Sequence, residues 1–121
     1  MNFRDIHVAF AWFVMVSNGV AGLWALAAHK LPVFRRKSLW RFTGVAQVAV
    51  AVQVVLGVAT LRVDGIDVQR IHMFYGFVAL ASVAIIYSYR QQLESHKYLL
   101  YGFGGLFLMG LAIRAFFLVG P

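Results

Sequence analysis

The sequence predicts an all-α integral membrane protein: a bundle of four transmembrane helices with both termini on the non-cytoplasmic side. Three observations carry this. The 121 residues are 62% hydrophobic and only 12% charged, against about 25% charged in a typical soluble domain. The apolar residues fall into four stretches, each near the roughly 20 residues that a helix needs to cross a bilayer. The basic residues concentrate in two of the three connections between those stretches.

The spans run from Ile6 to Ala28, Phe42 to Leu61, Ile71 to Tyr89 and Tyr98 to Val119. They leave no stretch for a soluble domain, so residues 1–121 read as one domain. The first span is too long, and too weakly basic at its start, for a cleaved signal peptide. Aromatic residues make up 16% of the chain and many lie near span ends, where rings bridge hydrocarbon and headgroups. Pro32 follows the first span and ends it. Asn2 is placed to cap the first helix and Asp67 the third.

Charge sets the direction of crossing. Lys30, Arg35, Arg36, Lys37 and Arg41 lie between spans one and two; Arg90 and Lys97, with Glu94, lie between spans three and four. The opposite side carries Arg4, Arg62, Arg70 and Arg114 with Asp5, Asp64 and Asp67. Seven basic residues against four put the first group in the cytoplasm. The expected location is the cell membrane, plasma or inner. The net charge of +7 is thereby assigned to topology and anionic lipid rather than to nucleic acid.

A faint internal repeat is present. Ile6-His7 opens span one and Ile71-His72 opens span three, each histidine followed four residues later by a small residue, Ala11 or Gly76. Leu56-Gly57-Val58-Ala59-Thr60-Leu61-Arg62 can be laid beside Met109-Gly110-Leu111-Ala112-Ile113-Arg114. The pattern is compatible with two helical hairpins related by a pseudo-twofold axis along the membrane normal.

Polar residues within spans are costly and often functional. His7 and His72 enter the membrane on the same side. Histidine is the usual axial ligand of b-type haem, and two facing helices can clamp the iron between them. Ala11 and Gly76 would leave room for the macrocycle, and Arg4, Arg62, Arg70 and Arg114 would meet its propionates, since guanidinium matches carboxylate bidentately. The alternative is that each histidine is an interfacial residue at a helix end. His29 and His96, beside Lys30 and Lys97, read as flanks of the other face. His7, Asn18, Gly22 and His29 share one face of the first helix, expected to look inward. Gln47 also lies within a span. Asn18 and Gln53 are expected to hydrogen-bond between helices. Gly19 and Gly22, with Gly102, Gly105 and Gly110, allow close helix contact, and Gly102-Phe103-Gly104-Gly105 is the expected tight-packing surface, within the bundle or against another protein.

The absence of cysteine excludes disulfides, thiolate metal sites, iron–sulfur clusters and covalent c-type haem attachment. No nucleotide-binding loop, catalytic serine arrangement or H-E-x-x-H motif occurs, and no catalytic residue is assigned.

The run Gln53-Val54-Val55-Leu56-Gly57-Val58-Ala59-Thr60, then a short loop, then His72 opening a helix, resembles one half of a haem A synthase. Those enzymes carry a similar Q-x-x-L-G-x-x-T pattern followed by a haem-ligating histidine, and are built from two four-helix halves. The resemblance implies His7 and His72 as a ligand pair. It departs where the family has a glutamate three residues before its first ligand histidine: Arg4 stands there, and Asp5 is two residues before His7. What it implies is architectural similarity, not haem A synthesis.

Two functions follow. One is a membrane haem b protein, or a haem-bearing subunit of a respiratory electron-transfer complex, not an enzyme by itself. Its metal ligands would be His7 and His72, and its cofactor-binding arginines Arg4, Arg70 and Arg114. The other is a cofactor-free accessory or assembly subunit packed against a larger membrane complex, or a homo-oligomer. A transporter is disfavoured, because no ionisable residue lies deep in a span.

Overall fold

The computed structural model describes residues 2–65 and 69–119. Four helices account for nearly all of them: α1 Phe3–Lys30, α2 Lys37–Arg62, α3 Arg70–Ser88 and α4 Lys97–Val119. All four are long and apolar enough to cross a membrane. The shortest, α3, has 19 residues and is about 29 Å long, close to the thickness of a bilayer core. Large apolar side chains cover the outside: Leu23, Val48, Val55, Phe77, Phe103 and Phe117 are all exposed. That is an outer surface suited to lipid.

Helix ends follow local chemistry. Asn2 is the N-cap of α1, its side-chain oxygen accepting from the Asp5 backbone N–H at 2.9 Å. Asp64, just past α2, accepts from the Arg4 N–H at 3.0 Å. Two of the free amides at the start of α1 are thus satisfied by carboxamide and carboxylate oxygens. At the other end α1 stops at Lys30, and Pro32–Phe34 form a single 3₁₀ turn; Pro32 lacks the N–H that a continuing helix requires. Gly65 holds φ +70° just after α2, the left-handed conformation that glycine adopts without a Cβ clash. The N-cap of α3 is Gln69, which makes no side-chain cap bond; Asp67 lies outside the described residues. α2 begins at Lys37, five residues before the apolar stretch that marks it in the sequence, because Lys37, Trp40 and Arg41 continue the helix beyond its apolar part.

The helices alternate in direction, so α1 and α3 run parallel. α1 is the central element, packing extensively on α4 and α2, while α3 rests mainly on α4 and touches α2 least. α3 accordingly buries one residue fully, Ile86. Three apolar clusters stack along α1. Ala11 and Met15 meet Phe116, Val14 meets Ala49 and Val50, and Ala25 and Ala28 meet Leu39 under Trp40, Tyr98 and Tyr101.

Where apolar helices meet within a membrane there is little hydrophobic drive, so close packing and hydrogen bonds do the joining. The closest approach is at Gly22 and Gly105. A Cβ on Gly22 would lie 2.8 Å from the Gly102 carbonyl oxygen, and one on Gly105 would lie 2.8 Å from the Asn18 carbonyl oxygen. The glycine-rich run of α4 is therefore used inside the bundle. Asn18, 1% exposed, donates to the Val14 and Ala46 carbonyls at 2.9 and 3.1 Å, tying α1 to α2. The hydroxyls of Ser17 and Ser82 return to their own helix, to Val14 and Val78.

The inward face of α1 runs through Asn18 and Gly22, then Ala25 and Ala28; His29 is exposed. It sits in the last turn, and the Arg35 guanidinium spans its carbonyl and that of Ala28 at 2.9 and 2.7 Å. Changing Gly105 or Gly22 to Ala should cost about 1–3 kcal/mol, because the new methyl meets backbone that cannot yield locally. Gly110→Ala meets nothing within 4 Å and should be neutral, or stabilising by up to about 1 kcal/mol. Unfolding followed by circular dichroism in mixed micelles would measure the difference.

Candidate functional site

At the end of the bundle that holds both termini, His7 and His72 come together. They sit in the opening turns of the parallel helices α1 and α3, hence at similar depth. Their ring centroids are 6.1 Å apart and the ring planes are nearly perpendicular, at 85°. Each ring is half-buried, and each belongs to a different seat.

His7 is seated on α2. The Gln53 side-chain amide donates to the His7 carbonyl at 2.8 Å. One turn further, the imidazole lies over Gly57, where a Cβ would come within 3.2 Å of Cε1. Gln53 and Gly57 are four residues apart, so they present one face of α2. His72 is seated on α4: its Nδ1 is 2.9 Å from the Ala115 carbonyl oxygen. A carbonyl only accepts, so Nδ1 carries the proton, and Nε2 of the neutral ring keeps a free lone pair. A backbone carbonyl on the far ring nitrogen is the usual way a metal-binding histidine is oriented.

His7 is less settled. Its Nδ1 is buried without a hydrogen-bond partner, and so is Oε1 of Gln53. Unpartnered buried polar atoms are uncommon in native structures and call for an explanation. Both belong to the residue pair that joins α1 to α2 here.

Arginines surround the pair in sequence. Arg4 is one turn before His7, Arg70 two residues before His72, and Arg114 adjoins Ala115. These three and Arg62 are exposed, and none forms an ion pair among the described residues, where Lys97 to Glu94 is the salt bridge. The two small residues after the histidines differ. Gly76 faces open space within 4 Å of where its Cβ would be. Ala11 is packed against Met15 and Phe116. His29 and His96 are exposed at the opposite end, His96 contacting Ser95 at 3.0 Å, and do not join the site. No cluster of three or more His, Cys, Asp or Glu residues suited to a metal ion occurs among the described residues.

The separation of the two imidazoles matches that of a pair holding one iron between them. Fe–N bonds of about 2 Å plus the ring radius put centroids about 6 Å apart across the metal. The observed separation is 6.1 Å.

Sequence reasoning found the two histidines and expected Asn18 and Gln53 to bond between helices. It missed the carboxylate of Asp64 at the start of α1 and the Gly57 seat; the spacing of Gln53 and Gly57 was the available signal for the latter. Comparison with protein-family models, curated proteins and solved structures finds no match to this chain.

The geometry predicts that the neutral His72 ring is the Nδ1–H tautomer, donating to the Ala115 carbonyl. Nitrogen-15 spectra of the labelled imidazoles should show a protonated Nδ1 and an unprotonated Nε2. Gln53→Leu should cost about 1 kcal/mol by loosening the α1–α2 junction and should shift the His7 ring resonances more than those of His29.

Proposed function

We propose that this chain is a small membrane b-type haem protein, or a haem-bearing subunit of a respiratory electron-transfer complex, with His7 and His72 as axial ligands. The supporting observation is the convergence of the two imidazoles, from diagonally placed helices, at a centroid separation of 6.1 Å. Bound haem supplies a one-electron iron couple. The chain's own residues hold and orient it. The Ala115 carbonyl fixes the His72 ring through Nδ1, Gln53 and Gly57 seat His7, and Arg4, Arg70 and Arg114 bring positive charge to the same end for the propionates.

The likeness to one half of a haem A synthase is carried by the same residues, since Gln53 and Gly57 of the shared pattern are the two that seat His7. Arg4 in place of the family's glutamate argues for haem binding without haem A synthesis. The two hairpins then read as a duplicated unit whose packing has diverged. Orientation follows from charge: the connections rich in Lys and Arg face the cytoplasm, and the termini and the Arg62-to-Arg70 loop face outward.

A second reading, a cofactor-free accessory subunit, draws on α3. Its Phe74, Phe77 and Ile85 are well exposed along the least buried helix, a surface suited to a larger membrane partner.

A reduced-minus-oxidised absorption spectrum of the protein, expressed with an ample haem supply, decides between them. The haem reading expects a low-spin b-type spectrum that His7→Ala and His72→Ala each abolish, with helicity unchanged. No haem bands in the unaltered protein would hand the case to the accessory-subunit reading. For orientation, cysteines introduced singly at Ser38 and Asp64 should react with impermeant reagents from opposite sides of the membrane.

A further inference from the structure

The basic residues at the end opposite the histidines are not equivalent. Arg35 is spent on the structure, bonding the Ala28 and His29 carbonyls and lying 5.1 Å from the Tyr98 ring centre. Arg90 bonds the Tyr87 carbonyl at 2.8 Å. Lys97 pairs with Glu94 at 3.2 Å, and Glu94 is the one acidic residue of the two connections at this end. Lys30, Arg36, Lys37 and Arg41 are exposed and take no part in that salt bridge. No acidic side chain of the described residues pairs with them.

Of these four, Arg36 borders a groove. The groove, about 490 Å³, is lined by Val20, Leu23, Trp24, Ala27, Phe34 and Arg36. The first four recur at helical spacing on one face of α1 and cover about 10 Å of it along the axis. Phe34 closes the end from the 3₁₀ turn. That turn is held in place, because the Trp24 indole N–H donates to the Phe34 carbonyl at 2.9 Å. Val20 and Leu23 are 45% and 61% exposed, so the groove opens to the side of the bundle, not to its core. It is an apolar channel parallel to a membrane-spanning helix, with a guanidinium at the helix end as its one charged wall.

We infer that this groove is a specific site for an anionic phospholipid, with one acyl chain along Val20 to Ala27 and the phosphate-bearing headgroup at Arg36. The groove's direction is that of lipid chains. Its charge is of the sign that selects anionic over zwitterionic headgroups, and guanidinium meets phosphate bidentately. A larger groove between α3 and α4, about 770 Å³ and bordered by His96, lacks this pairing, since the nearby Lys97 is neutralised by Glu94. The site is independent of haem.

Native mass spectrometry of the full chain, delipidated in mild detergent and titrated with phosphatidylglycerol or phosphatidylcholine, tests the inference. The first phosphatidylglycerol should bind about fivefold more tightly than phosphatidylcholine, the equivalent of the roughly 1 kcal/mol that a basic residue contributes near an anionic surface. Arg36→Gln should remove that preference. Arg41→Gln should retain it. Ala27→Phe, which fills the groove without changing charge, should weaken the first binding event of phosphatidylglycerol, with circular dichroism confirming the fold of each variant. Equal affinity for the two lipids would overturn the site. So would equal losses from Arg36→Gln and Arg41→Gln, the mark of diffuse attraction, or undiminished binding in Ala27→Phe.

Discussion

The backbone contact between α1 and α4 at Gly22 and Gly105 is the constraint on which the rest of the bundle depends. With Cβ positions 2.8 Å from main-chain atoms of the facing helix, the two helices have one register and no freedom to slide. That register brings Phe116 onto Ala11 and Met15 near one end and Tyr98 and Tyr101 onto the Ala25–Ala28 cluster near the other. It also decides where the Ala115 carbonyl points. His72 takes its orientation from that carbonyl, so the meeting of the two imidazoles rests on a glycine contact about half a membrane away.

Hydrogen bonds between helices fix the second register, that of α1 against α2. Asn18 reaches Ala46, Gln53 reaches His7 and Asp64 reaches Arg4, three cross-links spread along the pair. In each, a side chain satisfies a backbone group of the other helix, and the Asn18 bond is fully buried. Orphan atoms then stand out. Of the three buried side-chain atoms without partners, two are His7 Nδ1 and Gln53 Oε1. The polar imbalance of the described residues is thus concentrated beside the histidine pair.

The two ends of the bundle are chemically unlike. One has paired imidazoles, with arginines nearby in sequence that form no ion pair among the described residues. The other has an aromatic layer, Trp40 packed against Tyr98 and Tyr101 with ring centroids 5.5 and 5.3 Å away, under cations of which some are used by the fold and some are exposed. α3 is the least buried of the four helices.

The number of helices, their membrane-spanning length and the sharing of one end by His7 and His72 were legible in the sequence, because each depends on composition and spacing along a single helix. Apolar runs near 20 residues and the placement of Asn2 and Pro32 are local facts, and an even number of crossings returns the chain to the side it started from. The roles of individual polar residues were legible only in part. Asn18 and Gln53 announced a need for partners, since amides in hydrocarbon must bond, but not which carbonyls would serve. The expected inward face of α1 ended at Ala28 rather than His29, because a helix's last turn outruns its neighbours. What only the tertiary structure decided is which helices touch. α1 and α3 proved diagonal, with α4 between them as the common support, and Ala11 is packed against Phe116 while a Cβ on Gly76 would meet nothing within 4 Å. Arg35 and Arg36, adjacent in sequence and identical in kind, were likewise divided by structure alone. One guanidinium found two helix-end carbonyls within reach and the other borders an apolar groove. Such outcomes depend on distances between helices, and hydrophobic pattern along one helix carries no information about those.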